Sequence, residues 1–69
     1  MRKDKFAKRL EELRKARGLS QNQLAIKLGK QANVINKYER NENEPGLAII
    51  MLLCDFFGCT SDYLIGRED

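Results

Sequence analysis

The chain has 69 residues and a mass of 8.0 kDa, below the roughly 100 to 200 residues usual for a domain, so it forms one small domain with one modest core. Its 42% hydrophobic and 33% charged residues, with one proline and five glycines, describe an ordered globule and exclude a disordered tail. Two cysteines without a histidine exclude a four-ligand zinc site within one chain, and the net charge of +3 divides into +5 over residues 1–17, +3 over residues 18–41 and −5 over residues 42–69.

Phe6, Leu10, Leu13 and Ala16 recur at helical spacing with Lys8, Arg9, Glu12 and Lys15 between them, which predicts an amphipathic first helix ended by Gly18. Ser20 followed by Gln23 is a capping-box pattern and opens a second helix over about 21–28, through Leu24 and Ala25. Gly29 supplies the left-handed residue that closes it. After a very short link at Lys30 and Gln31, the spacing of Val34, Ile35 and Tyr38 predicts a third helix over about 31–40. Asn41 is suited to a left-handed cap, and Asn43 to Pro45 reads as a loop. Gly46 then caps a fourth helix that stops before Gly58, with Leu47, Ile50, Leu53, Cys54 and Phe57 expected in the core and Ile49, Leu52 and Phe56 forming a second apolar stripe outside it. Thr60 or Ser61 caps a last short turn through Tyr63, Leu64 and Ile65. The expected fold class is all-α: a compact five-helix domain spanning residues 1–69, without internal repeats.

The second and third helices, joined by a short turn at Gly29, have the pattern of a helix-turn-helix, whose second helix can enter the DNA major groove. Leu24 and Leu28 face the core, Ala25 is small where the next helix crosses, and Ile35 plugs the angle between the two. A helix hairpin in any small bundle shares some of these features. The polarised charge points the same way, with a basic segment suited to a polyanion and an acidic one turned from it; solvated lysines and arginines on helix faces are the plainer explanation.

The segments RLEELRKARGL from Arg9, SQNQLAIKLG from Ser20, INKYERN from Ile35, Glu44-Pro45 and TSDYLIG from Thr60 resemble the phage repressor and Cro-type, or xenobiotic-response-element-like, helix-turn-helix proteins of bacteria and their viruses. The resemblance covers nearly the whole chain. It implies a lambda-repressor-like DNA-binding domain acting as a transcription regulator, usually as a homodimer on a two-fold symmetric operator. Position by position, it implies that Gln21 contacts a phosphate, with Lys30 and Arg40 also toward the backbone, and that Gln31, Ala32, Asn33, Asn36 and Lys37 reach base edges. Asn and Gln pair bidentately with adenine, Lys donates to guanine, and Ala32 suits a thymine methyl. Arg14 and Glu39 match a structural pair bridging the first helix to the end of the third.

The chain departs from that pattern at Gln31, where a Ser or Thr cap is common, and at Glu42 and Glu44, in a loop where relatives often carry basic residues. The phosphate-facing role is therefore expected of Lys30, Lys37, Arg40 and the basic first helix. The stripe outside the core predicts a dimer interface through Ile49, Leu52, Phe56 and Ile65.

Enzyme chemistry lacks its parts. No histidine is present to act as a base, no glycine-rich phosphate loop occurs, and Cys54 and Cys59 sit among apolar neighbours. No cofactor, metal or small-molecule ligand is expected, and no membrane contact. The longest apolar run, Leu47 to Cys54, has eight residues, against the roughly 20 that cross a bilayer. The basic first residues precede no apolar stretch. A cytoplasmic, bacterial or phage-derived protein associated with the nucleoid is therefore expected. With four residues after Ile65 and no sensor or activation domain in view, the expectation is a stand-alone repressor; the alternative is a protein-binding module, such as an antitoxin or anti-repressor, built on the same fold.

Overall fold

The computed structural model describes residues 3–67, with side chains from residue 4 onward. Five helices occur among them: α1 Lys3–Ala16, α2 Gln21–Leu28, α3 Ala32–Glu39, α4 Leu47–Phe57 and α5 Ser61–Leu64. Each boundary has a local cause. Ser20 accepts from the Gln23 N–H at 3.0 Å while the Gln23 side chain accepts from the Ser20 N–H at 2.8 Å, a complete capping box. Thr60 caps α5 through the Tyr63 N–H. Gly29 and Gly58 close α2 and α4 at φ 69° and 68°, a region where a Cβ would be strained. Asn41, at φ 63°, follows α3 in the same conformation, as its short polar side chain allows. The third helix is one residue shorter at each end than the spacing predicts, because Gln31 is its extended N-cap and Arg40 its C-cap.

The core gathers one side of every helix. Phe6, Leu10, Leu24, Ile35, Leu53 and Leu64 are fully buried, and truncating such a residue to Ala typically costs about 2 to 5 kcal/mol. Ile35 on α3 and Leu24 on α2 belong to the same buried cluster. Phe6 packs edge-on against Tyr38, ring centroids 5.6 Å apart, which docks α1 on α3. Among the described residues, no helix is long and apolar enough to cross a membrane.

The fourth helix is rotated from its expected orientation. Ile49, expected outside the core, is buried with Ile50, Leu53 and Phe57, whereas Leu47, expected inside, is 73% exposed. The sequence LAIIMLLCDFF is apolar at almost every position, so its periodicity supports more than one stripe. Asp55 is its only charged residue and the only marker of phase. Positions 47, 48, 51 and 52 lie on the side of Asp55, and all of them are exposed.

Candidate nucleic-acid interface

The turn between α2 and α3 is held by backbone bonds. The Gly29 N–H donates to the Ala25 and Ile26 carbonyls and the Lys30 N–H to the Ala25 carbonyl at 2.8 Å, the pattern of a left-handed helix end. It delivers α3 with Ile35 inward and Asn33 and Lys37, one turn apart, outward. Lys30 and Gln31 are exposed beside them. Ala32 is half-buried and packs against the core, and Asn36 is half-buried at the edge of the exposed face. Gln31 makes no side-chain cap bond, and the Val34 N–H in the first turn of α3 donates to the Gln31 carbonyl at 3.0 Å instead.

Behind this face lies a connected polar network. Arg14 donates from Nε to Glu39 Oε2 at 2.7 Å and from Nη2 to Oε1 at 2.9 Å, a bidentate pair with little exposure, and from Nη1 to the Leu19 carbonyl at 2.7 Å. The Glu39 hydrogen bond raises the Arg14 pKa above its ordinary value, against the opposing effect of burial. Gln21 Nε2 donates to Glu39 Oε1 at 3.0 Å, and Asn36 Nδ2 donates to Gln21 Oε1 at 3.2 Å. The structure thus joins the Arg14–Glu39 pair to Gln21 and Asn36, for which the resemblance implied separate roles toward phosphate and base. The two links through Gln21 had no sequence signal, since they join positions 15 and 18 residues apart.

The helix-turn-helix family model matches residues 10–64 of this chain, which includes α2, the turn and α3. The chain belongs to the helix-turn-helix family. Three relatives are similar along 64 residues, or 93% of this chain: the HTH-type transcriptional regulator ImmR of Bacillus subtilis (strain 168) at 32% identity, the uncharacterized HTH-type transcriptional regulator YobD of the same organism at 33%, and the HTH-type transcriptional activator BcrR of Enterococcus faecalis at 31%. The aligned region makes up 50%, 57% and 31% of those proteins respectively, so the chain spans about half the length of the first two. No solved structure matches it significantly.

In this helix-turn-helix domain, part of the basic charge is used internally. Arg9 donates to the Tyr63 carbonyl and stacks 4.3 Å from the centroid of the Tyr63 ring, tying α1 to α5. Arg17 donates to the Phe57 carbonyl at 3.2 Å and lies 5.5 Å from the centroids of the Phe56 and Phe57 rings, tying the end of α1 to the end of α4. Arg40, an expected phosphate contact, pairs with Glu42 at 3.0 Å. Both partners are well exposed, where such a pair contributes about 0 to 1 kcal/mol, so a phosphate can displace the carboxylate.

Of the expected dimer residues, Leu52 is exposed, Phe56 and Ile65 are half-buried against the core, and Ile49 is buried. Ile49 is therefore corrected to a core residue. The exposed apolar face of α4 consists of Leu47, Met51 and Leu52.

Proposed function

We propose that this helix-turn-helix domain binds double-stranded DNA sequence-specifically and regulates transcription, as a homodimer that represses by occupying a two-fold symmetric operator. One observation carries the reading: α3 offers Gln31, Asn33 and Lys37 on an exposed face, beside Lys30, while Ile35 locks the helix to α2. Those side chains can donate to and accept from base edges. Gln21 at the start of α2 and Lys30 and Arg40 at the two ends of α3 take phosphates and set the register. Repression needs no more than occupancy, which two copies of a domain measuring 27 × 24 × 20 Å supply by covering adjacent half-sites. The second copy docks on Leu47, Met51 and Leu52 of α4. That BcrR is an activator by name makes the sign of regulation a matter for a reporter carrying the selected operator, and increased transcription there would replace repression by activation.

Selection from a random duplex pool, followed by a salt titration, tests the DNA reading. With two phosphate-facing cations per copy, log K should fall against log salt with a slope of about −4 for a bound dimer, at about −0.9 per phosphate neutralised. Negligible affinity and a flat salt response would leave a protein-binding module as the function of the domain.

A further inference from the structure

We propose that Glu39 is a positioning residue for base reading: through Gln21 it orients Asn36 so that Oδ1 and one Nδ2–H remain for an adenine edge. The inference rests on the DNA-binding reading and adds a specificity determinant to it. Its physical basis is the direction of the hydrogen bonds. An amide side chain can face either way, because its oxygen and nitrogen ends are nearly the same shape, but a carboxylate only accepts. Glu39, held by two bonds from Arg14, therefore requires the nitrogen end of Gln21 at Oε1. That turns Gln21 Oε1 toward Asn36, and Gln21 Oε1 in turn requires the nitrogen end of Asn36. Reversing either amide would set oxygen against oxygen in a half-buried site. The polarity imposed by one buried carboxylate is relayed across α2 to the edge of the reading face of α3.

The relay leaves each amide with a defined remainder. Gln21 keeps one Nε2–H, a donor suited to a phosphate oxygen, while its own oxygen is committed. Asn36 keeps Oδ1 and its second Nδ2–H. That acceptor and donor complement the N6–H donor and N7 acceptor that adenine presents in the major groove. Neither guanine, with two acceptors, nor cytosine, with a single donor, offers the same match.

The test uses the full chain and the operator it selects. The position read by Asn36 is the one whose preference disappears in Asn36→Ala, and it should be adenine. Glu39→Gln preserves an oxygen for Arg14 but can also present a donor, so it no longer dictates direction. Its adenine preference at that position, taken relative to the other bases at the same position, should fall about tenfold, and adding Asn36→Ala should remove nothing more. Gln21→Ala, which cuts the relay and leaves the Arg14–Glu39 pair, should lose the same preference and guards against poor folding of the first variant. Retained adenine preference in a folded Glu39→Gln protein, additive losses in the double variant, or a base other than adenine at that position would overturn the proposal. Without DNA, the Asn36 side-chain amide resonances should shift in Glu39→Gln, and unchanged resonances would also overturn the relay. A parent that selects no sequence overturns the DNA reading and the adenine contact with it, while the amide spectra still decide whether Glu39 orients Asn36.

Discussion

Asn33 and Lys37 lie one helical turn apart on the exposed face of α3, so replacing either tests direct reading without disturbing the core. Asn33→Ala and Lys37→Ala should each weaken operator binding by about 1 to 3 kcal/mol and relax base preference, with a smaller loss on random duplex; parent-like affinity in both would misplace the recognition surface. Arg14 and Glu39 behave differently, because their charges are largely removed from water. Leaving either one alone is costly. A double-mutant cycle with Arg14→Ala and Glu39→Ala, followed by thermal melting, should give a coupling of about 1 to 3 kcal/mol, and additive melting shifts would deny the pair a stabilising role. At Cys54, burial, the neighbouring Cys59 thiol and Asp55 raise the pKa to about 11. The folded state therefore keeps its proton where the unfolded chain gives it up. Stability from this group is complete below the ordinary thiol value and falls as pH climbs from there toward about 11. Alkylation of Cys54 at pH 8 should be slower in the folded protein than in urea, and equal rates would contradict that protection.

The helices of this domain differ in how their ends are held. The first turn of α2 has a full capping box, whereas α3 begins at Gln31 with no side-chain cap. Introducing Gln31→Ser gives the backbone N–H groups an acceptor, and by the usual worth of a cap it should stabilise the domain by about 0.5 to 1 kcal/mol in chemical denaturation. An unchanged midpoint would show that other groups already satisfy that turn. The same substitution removes a side chain proposed to reach base edges, so added stability should come with altered operator preference. The last helices are fastened by arginine. Arg9 on α1 reaches the Tyr63 carbonyl and ring on α5, and Arg17, just past the end of α1, reaches the Phe57 carbonyl and the Phe56 ring, placing positive charge at the C-terminal end of α4, where the helix dipole favours it.

A domain of this size reads only a few base pairs, so useful specificity calls for two copies on half-sites about 10 base pairs, roughly 34 Å, apart along one face of the duplex. The apolar face of α4 is where the second copy is proposed to dock. Leu52→Glu places a charge there on a residue 37% exposed, so the monomer should fold while association in sedimentation and cooperative occupancy of two half-sites both decline. Unchanged cooperativity would rule out this face. Equally tight binding of a single half-site by the parent would rule out the dimer itself.

The five helices and the helix-turn-helix were legible in the sequence because their signals are local. Ser20 with Gln23, the glycines at 18, 29 and 58, and the spacing of Phe6, Leu10 and Leu13 act within a turn or two of the chain. Membership of the family was legible for the same reason, since its motifs are short and fixed in spacing. The Arg14–Glu39 link was inferred from resemblance alone, and periodicity could not have found it. Two matters waited on the tertiary structure. The face that α4 buries depends on neighbours far along the chain, because a helix apolar on nearly every side carries no strong phase of its own; only Asp55 hinted at it. The relay from Glu39 through Gln21 to Asn36 depends on helices meeting at hydrogen-bond distance. A sequence specifies which groups can donate and accept, and packing alone decides which of them meet.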